Sequence, residues 1–439
     1  MRILKILKQY GRFLSRIDFD AANEMPSGLF ELNTSQTPHF VQWVIDGCTN
    51  KGSAVSSWVL IDSIFILRDL AKWTCISLLC GFLYKKKKNH LKLLKTTKII
   101  FVGFVDQRKG KLYAKDYEGF RERIELKNQS LTIGLRLPSL NLFKYMRGGN
   151  DVMPVFAFVR FKDLLHGLSK QRKFQQIVQK LENLPAEMKK MCVRDIHSGH
   201  ALGSFLLGTT VARLCQNTSR NAKVYFPMER HDWEQVAITK LSGLRRIEAV
   251  QNCTFSSYDL NMYRHTPGLP NFRKTIPDKI NVLDSDWKRV FQEKLGFNCK
   301  ISVMQKHRFS EKAILLNLNG ETPRLLYLAS INREKLFLDF EALTPLSRKL
   351  FIEVRLHPSL NHVALPAGFR KATDISHSYG WCVYADTSMV FQLKCKREYL
   401  LFIQHESFPN QDPTRWFSGF GSRQISASRL KDHEFPNCV

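Results

Sequence analysis

Short apolar runs alternating with amphipathic stretches set the rhythm of this chain of 439 residues. Ile99-Ile100-Phe101-Val102-Gly103-Phe104 has no polar alternation, as expected of a parallel strand covered on both faces. Val152 to Phe161 predicts another strand, and Phe174 to Met191 a charged helix. Lys223 to Pro227 reads as a strand, Asp232 to Leu241 as the helix after it, and Ile247 to Cys253 as the next strand. Pro267, Pro270 and Pro277 punctuate a boundary near 270–287. Beyond it come a strand, Lys279 to Leu283, and a helix, Trp287 to Leu295, capped by Ser285 or Asp286. In the last third, strands at Leu325–Ser330, Phe351–Leu356, Trp381–Ala385 and Tyr399–Ile403 surround a helix at Arg333–Leu343. Alternating strand–helix units predict parallel, doubly wound sheets. The expected fold is α/β, with two Rossmann-like domains facing across a cleft. The expected division is 1–98, a basic helical part of the first lobe; 99–285, the Rossmann-like domain of that lobe; and 286–439, a second Rossmann-like domain.

The N-terminal pattern is different. Within 1–17, Arg2, Lys5, Lys8, Arg12 and Arg16 interleave with Ile3, Leu7, Tyr10, Leu14 and Ile17 at helical spacing. There is no continuous apolar region of the kind a signal peptide carries. Such a helix either lies on an anionic membrane or docks on its own domain. Ala54 to Tyr84 is apolar but interrupted by Asp62, Arg68, Asp69 and Lys72, and its longest uncharged run is too short to span a bilayer. Lys85-Lys86-Lys87-Lys88, then Lys92, Lys95 and Lys98, follow it directly. This run reads either as a solvated loop or as an anchor for an acidic leaflet.

Composition sharpens that picture. Lys plus Arg is 67 against 39 acidic residues, a formal net charge of +28. Such a field attracts anionic partners of several kinds. Hydrophobic residues make up 44% and charged ones 24%, which excludes a disordered chain. Ten cysteines occur without any Cys-x-x-Cys, so zinc-ribbon and thioredoxin readings fail. Their scatter fits a reducing cytoplasm. A Gly-x-x-x-x-Gly-Lys-Ser/Thr loop and a Gly-x-Ser-x-Gly elbow are both lacking.

Candidate chemistry sits at strand ends. The strand reaching Arg355 and Leu356 stops at His357-Pro358, and proline keeps His357 extended at the tip. An imidazole there can stabilise a departing phosphate, with Arg355 and His362 adding positive potential. The later Asp386-Thr387-Ser388 ends a second strand, and its hydroxyls and following N–H groups can hold the same phosphate. Glu229, just past an earlier strand, is placed as a general base for an acceptor hydroxyl. Trp233 and Glu234 would brace its loop, and Asp232 would cap a helix. His197 and His200 could contribute to an acceptor site, but two histidines three apart lack a third metal ligand. Asp284-Ser285-Asp286 offers a metal-binding pattern that a helix N-terminus explains equally well.

The order strand–Glu229–x–x–x–Trp233–Glu234, a strand ending Gln251-Asn252-Cys253-Thr254, then Pro277-Asp278-x-Ile280-x-Val282, then His357-Pro358, resembles bacterial surface-carbohydrate glycosyltransferases of the GT-B type. Polysialyltransferase-like and Kdo-transferase-like enzymes of capsule and lipopolysaccharide synthesis are among them. The likeness covers roughly residues 190–405, with Gln251-Asn252 standing where Gln-His is expected. It implies a CMP-activated acidic sugar as donor, His357 and Ser388 at the donor phosphate, and Glu229 as base.

The resulting expectation is an inverting, metal-independent transferase with no cofactor beyond its nucleotide-sugar co-substrate. It would act on a glycan or lipid-linked glycan, peripherally at the inner face of the cytoplasmic membrane. The donor could instead be a UDP- or GDP-sugar. The rival is a non-catalytic basic protein binding membrane or nucleic acid. Against nucleic acid, no helix-turn-helix, zinc finger or RNP-like aromatic motif is legible.

Overall fold

The structure is a computed structural model. It describes residues 59–84, 86–108, 111–114, 117, 120–121, 130–135, 152–180, 200–229, 231–252, 276–305, 314–319, 322–330, 332–357, 360–372, 378–387, 389–390, 393–405, 423–433 and 435. The basic stretch 1–17, His197 and Ser388 lie outside them. The described residues divide into two compact units, one ending at Gln305 and the other beginning at Ile314.

The first unit opens with helices α1 (Val59–Leu83) and α2 (Lys87–Thr96). Strand β1 (Ile99–Gly103) follows, then a hairpin of β2 (Val105–Arg108) and β3 (Lys111–Ala114), β4 (Ser130–Gly134) and β5 (Val152–Pro154). Next come α3 (Phe161–Lys180), α4 (His200–Gln216), β6 (Lys223–Pro227), α5 (Asp232–Leu241), β7 (Arg246–Val250), β8 (Lys279–Val282), the short α6 (Ser285–Arg289) and β9 (Lys300–Val303). Its main sheet runs β5-β4-β1-β6-β7-β8-β9, parallel throughout. The second unit carries β10 (Ile314–Leu315), β11 (Arg324–Leu328), α7 (Arg333–Leu343), β12 (Phe351–Arg355), β13 (Phe369–Lys371), β14 (Trp381–Tyr384), β15 (Leu393–Lys394), β16 (Leu400–Gln404), β17 (Arg423–Ser426) and α8 (Ala427–Leu430). Its main sheet runs β13-β12-β11-β14-β16-β17, again parallel.

Numbered within its own sheet, each unit has the strand order 3-2-1-4-5-6, and the first adds a seventh strand at the edge. This is the doubly wound Rossmann order, in which the chain reverses direction across the sheet beside its first strand. The α/β, two-sheet expectation is therefore met.

Burial explains why these runs form central strands. All of β1 is buried. In β11, Leu325 and Tyr327 enter one hydrophobic cluster while Leu326 and Leu328 enter another. Successive side chains of a strand point to opposite faces, so the two clusters lie on opposite sides of the sheet. A strand covered on both sides must be apolar without alternation. One face packs against Leu336, Phe340 and Leu343 of α7, spaced to form one stripe of that helix. Each such fully buried side chain contributes about 1.5–3 kcal/mol.

Three details depart from expectation. The predicted strand over Val152–Phe161 is only three residues long. It stops at Pro154, and a 3-10 turn occupies Val155–Phe158; proline has no N–H to extend the ladder. The helix expected from Phe174 begins at Phe161. The boundary expected after 285 falls later, because β9 pairs with β8 along Lys279–Val282 and so belongs to the first sheet. The cap near it is Asp284, whose carboxylate accepts from the Trp287 N–H at 2.8 Å.

One close approach matters for the site. A Cβ on Gly208 of α4 would lie 2.5 Å from the Trp233 carbonyl oxygen. Only glycine lets α4 pack this tightly against α5.

Candidate functional site

In an open α/β sheet, ligands bind beyond the carboxyl ends of the strands where the order reverses. In the first unit that point lies between β1 and β6. These strands pair only from Ile99–Lys223 to Phe101–Tyr225 and then part. The hydroxyl of Tyr117 fills the gap, 2.6 Å from the Val102 carbonyl oxygen and 2.8 Å from that of Tyr225. One phenolic proton is shared between two carbonyls that the splayed strands leave to it, and burial pushes the neighbouring Tyr225 phenol well up.

Above this plug sits Glu229, two residues past β6. Its Oε2 lies 2.7 Å from His231 Nε2, and its Oε1 accepts from Asn252 Nδ2 at 2.7 Å. Asn252 comes just after β7, so neighbouring strand ends deliver the groups that grip this carboxylate. Both Glu229 and His231 are partly exposed. The His231 ring lies near-parallel to Trp233, centroids 6.5 Å apart, and edge-on to Phe104, which follows β1. Aromatic walls on two sides fix the imidazole while leaving Glu229 in reach of solvent. Gln251, by contrast, is structural: its Oε1 accepts from the Leu283 N–H. Thus Asn252, which departs from the expected histidine, contacts the candidate base directly.

Glu234 is buried at the start of α5, and a donor atom from each of Glu229, His231 and Glu234 falls within a sphere of mutual distances below 4.8 Å. Among the described residues this trio is where a cation would be held. Its geometry already suits another arrangement: both Glu229 oxygens accept hydrogen bonds, and the His231–Glu229 separation is that of a hydrogen bond rather than of two ligands on one ion. Asp284 and Asp286, the other metal candidates, cap α6 and pair with Arg289 at 2.8 Å respectively.

The second unit reverses between β11 and β14, which stay paired through Leu328–Tyr384 and beyond, the Ala385 N–H bonding the Leu328 carbonyl. Asp386 and Thr387 follow β14 at this point, and the Thr387 Oγ1 accepts from the Met389 N–H at 3.3 Å. His357 is partly buried two residues past β12. Its carbonyl accepts from the Leu360 N–H, which turns the chain there. β11 lies between β12 and β14, so two strand spacings, about 10 Å, separate these strand ends. Arg355 sends a guanidinium N–H to the Ala372 carbonyl just past β13, on the side of β12 away from the reversal. His200 opens α4.

What the sequence reading missed is a buried ionic network at this same edge. Lys335, 2% exposed, lies in the first turn of α7, where the Asn332 side chain caps the helix. Its Nζ is 3.5 Å from Asp386 Oδ1. One turn on, Asp339 is fully buried. Its Oδ1 meets His405 Nε2 at 2.6 Å, and its Oδ2 accepts from the Tyr327 hydroxyl. Burial holds the Asp339 carboxyl above its ordinary range, against the opposite pull of His405, Lys335 and Tyr327. The available signal was Lys335 and Asp339, four apart on the apolar stripe of α7.

No family model matches the chain, and no curated protein matches it. Among solved structures, the crystal structure of alpha,alpha-trehalose 6-phosphate synthase from Burkholderia multivorans is similar at 10% identity and a TM-score of 0.34, over 76% of this chain and 87% of that one. Similarity at that level decides nothing about chemistry, which has to come from the residues.

Proposed function

We propose that this protein is an inverting, metal-independent glycosyltransferase. The observation that supports it best is Glu229: a partly exposed carboxylate beside the strand reversal, oriented by His231 and Asn252. Such a group can take the proton of an acceptor hydroxyl, with His231 sharing the charge. The deprotonated oxygen attacks the anomeric carbon of the donor sugar. The bond from that carbon to the nucleotide phosphate oxygen breaks, and the electron pair leaves with the nucleotide. His357, with Thr387 and Ser388, meets the charge that builds on the departing phosphate.

The donor in this reading is a CMP-linked sialic or other nonulosonic acid, or Kdo. The acceptor is an anionic or lipid-linked glycan of a surface polysaccharide, reached from the inner face of the cytoplasmic membrane. The net charge of +28 supports an anionic partner. Thermal-shift measurements with CMP, UDP and GDP test the donor class, since a ligand that binds only the folded chain raises its melting temperature. Stabilisation by CMP alone supports the reading. Stabilisation by UDP or GDP alone changes the donor, and no response to any nucleotide overturns the transferase.

A further inference from the structure

We infer that the outer faces of α1 and α2 form a docking surface for a bilayer containing anionic phospholipid. This deepens the proposed peripheral location and does not depend on the transfer chemistry.

Between residues 67 and 82 of α1, the exposed positions are Leu67, Arg68, Ala71, Lys72, Cys75, Leu78, Leu79 and Phe82. They recur at three and four residues, which places them on one helix face. All but Arg68 and Lys72 are apolar, and Leu67, Leu78, Leu79 and Phe82 are 64%, 69%, 53% and 86% exposed. Scattered surface leucines need no explanation; a continuous stripe of this kind does. Among the described residues no helix is long and apolar enough to cross a membrane, so a stripe like this would lie in the interface plane.

Charge identifies the occupant. Three residues separate α1 from α2, and α2 contains no acid. Its exposed Lys88, Lys92 and Lys95 sit at i, i+4 and i+7 and so share a face, while His90 and Leu94 are buried on another. The junction is fixed: the Tyr84 hydroxyl bonds His90 Nδ1. Both helices also rest on the same short segment. Trp73 of α1 stacks on Phe156, with ring centroids 5.8 Å apart. Lys87 of α2 lies over Phe158 at 5.4 Å. With their inner faces on one support, the apolar stripe and the lysine row both turn away from it. Apolar side chains can enter the acyl boundary while the ammonium groups meet lipid phosphates.

The test is sedimentation of the full chain with phosphatidylcholine vesicles, with and without phosphatidylglycerol. Binding to the phosphatidylglycerol vesicles is expected. It should weaken at least tenfold in the Leu78→Ser, Phe82→Ser double variant. In the Lys88→Glu, Lys92→Glu, Lys95→Glu variant it should weaken roughly 100-fold at low salt. Both variants should melt at the wild-type temperature. Equal binding by all three chains, or none by wild type, overturns the inference. So does a lowered melting temperature in the serine variant, which would mean the chain covers its own stripe. So does self-association that the serine variant abolishes, which would make the occupant a second copy. Salt-sensitive retention on RNA without vesicle binding would assign the lysines to nucleic acid and overturn it too.

Discussion

The two sheets share a strand order yet finish their carboxyl edges in opposite ways. In the first unit the central strands part, Tyr117 plugs the split, and the polar groups above it, Glu229 and His231, stay open to solvent. In the second unit the central strands stay paired, and a polar network beneath the partly exposed His357 and Thr387 is sealed in, with Asp339 fully buried and Lys335 nearly so. An exposed carboxylate can exchange protons with a substrate. A buried ionic network cannot without unfolding around it, but it can hold the loop after β14 rigid. The comparison teaches that topology fixes where a site can form, while burial decides which of its polar groups are open to a substrate and which only support them.

The sharpest way to break this contrast is Glu229→Gln, which keeps the hydrogen-bond geometry and removes the proposed base. Turnover should fall about 10²–10⁴-fold, with nucleotide affinity by calorimetry unchanged. Equal loss of both would make Glu229 structural, like Asp339. Next is Asp339→Ala, which leaves His405 and the Tyr327 hydroxyl without their buried partner. It should cost about 3–5 kcal/mol in urea unfolding; a loss near zero would mean the second edge is as solvated as the first. Tyr117→Phe should cost less, about 1–3 kcal/mol, because two buried carbonyls lose one shared donor. The smallest effect is in pH. Burial raises the Asp339 carboxyl above its ordinary 3.8, so the folded chain holds that proton more tightly than the unfolded one. Its ionisation therefore opposes folding: the penalty is absent below pH 3.8 and grows as pH rises from there to the folded value. Asp339→Asn should flatten the stability profile in that window, and an unaltered slope would refute the assignment.

Most central strands were legible because two-sided burial leaves a sequence signature, although β4 was not among the strands expected. Ile99–Gly103, Lys223–Pro227, Arg324–Leu328 and Trp381–Tyr384 all fall within a residue or two of their expected limits. The edge strands of the second sheet were not. β13 buries only Phe369 of its three residues, and β17 buries none of its four; an edge strand needs no apolar run, since only one neighbour covers it. The same logic applies to the site. Glu229 stood out because a carboxylate after a buried strand is unusual, and its partner Asn252 stood out as a departure. Lys335, Asp339, Tyr327 and His405 did not, because their meeting depends on two strands and a helix brought together in the fold.

The pairing of β9 with β8 bears on how the halves could be taken apart. A fragment ending at residue 285 would strip the first sheet of its outermost strand. The bared N–H and C=O groups of β8 would then invite pairing between molecules. Severing near His307 instead keeps that border intact.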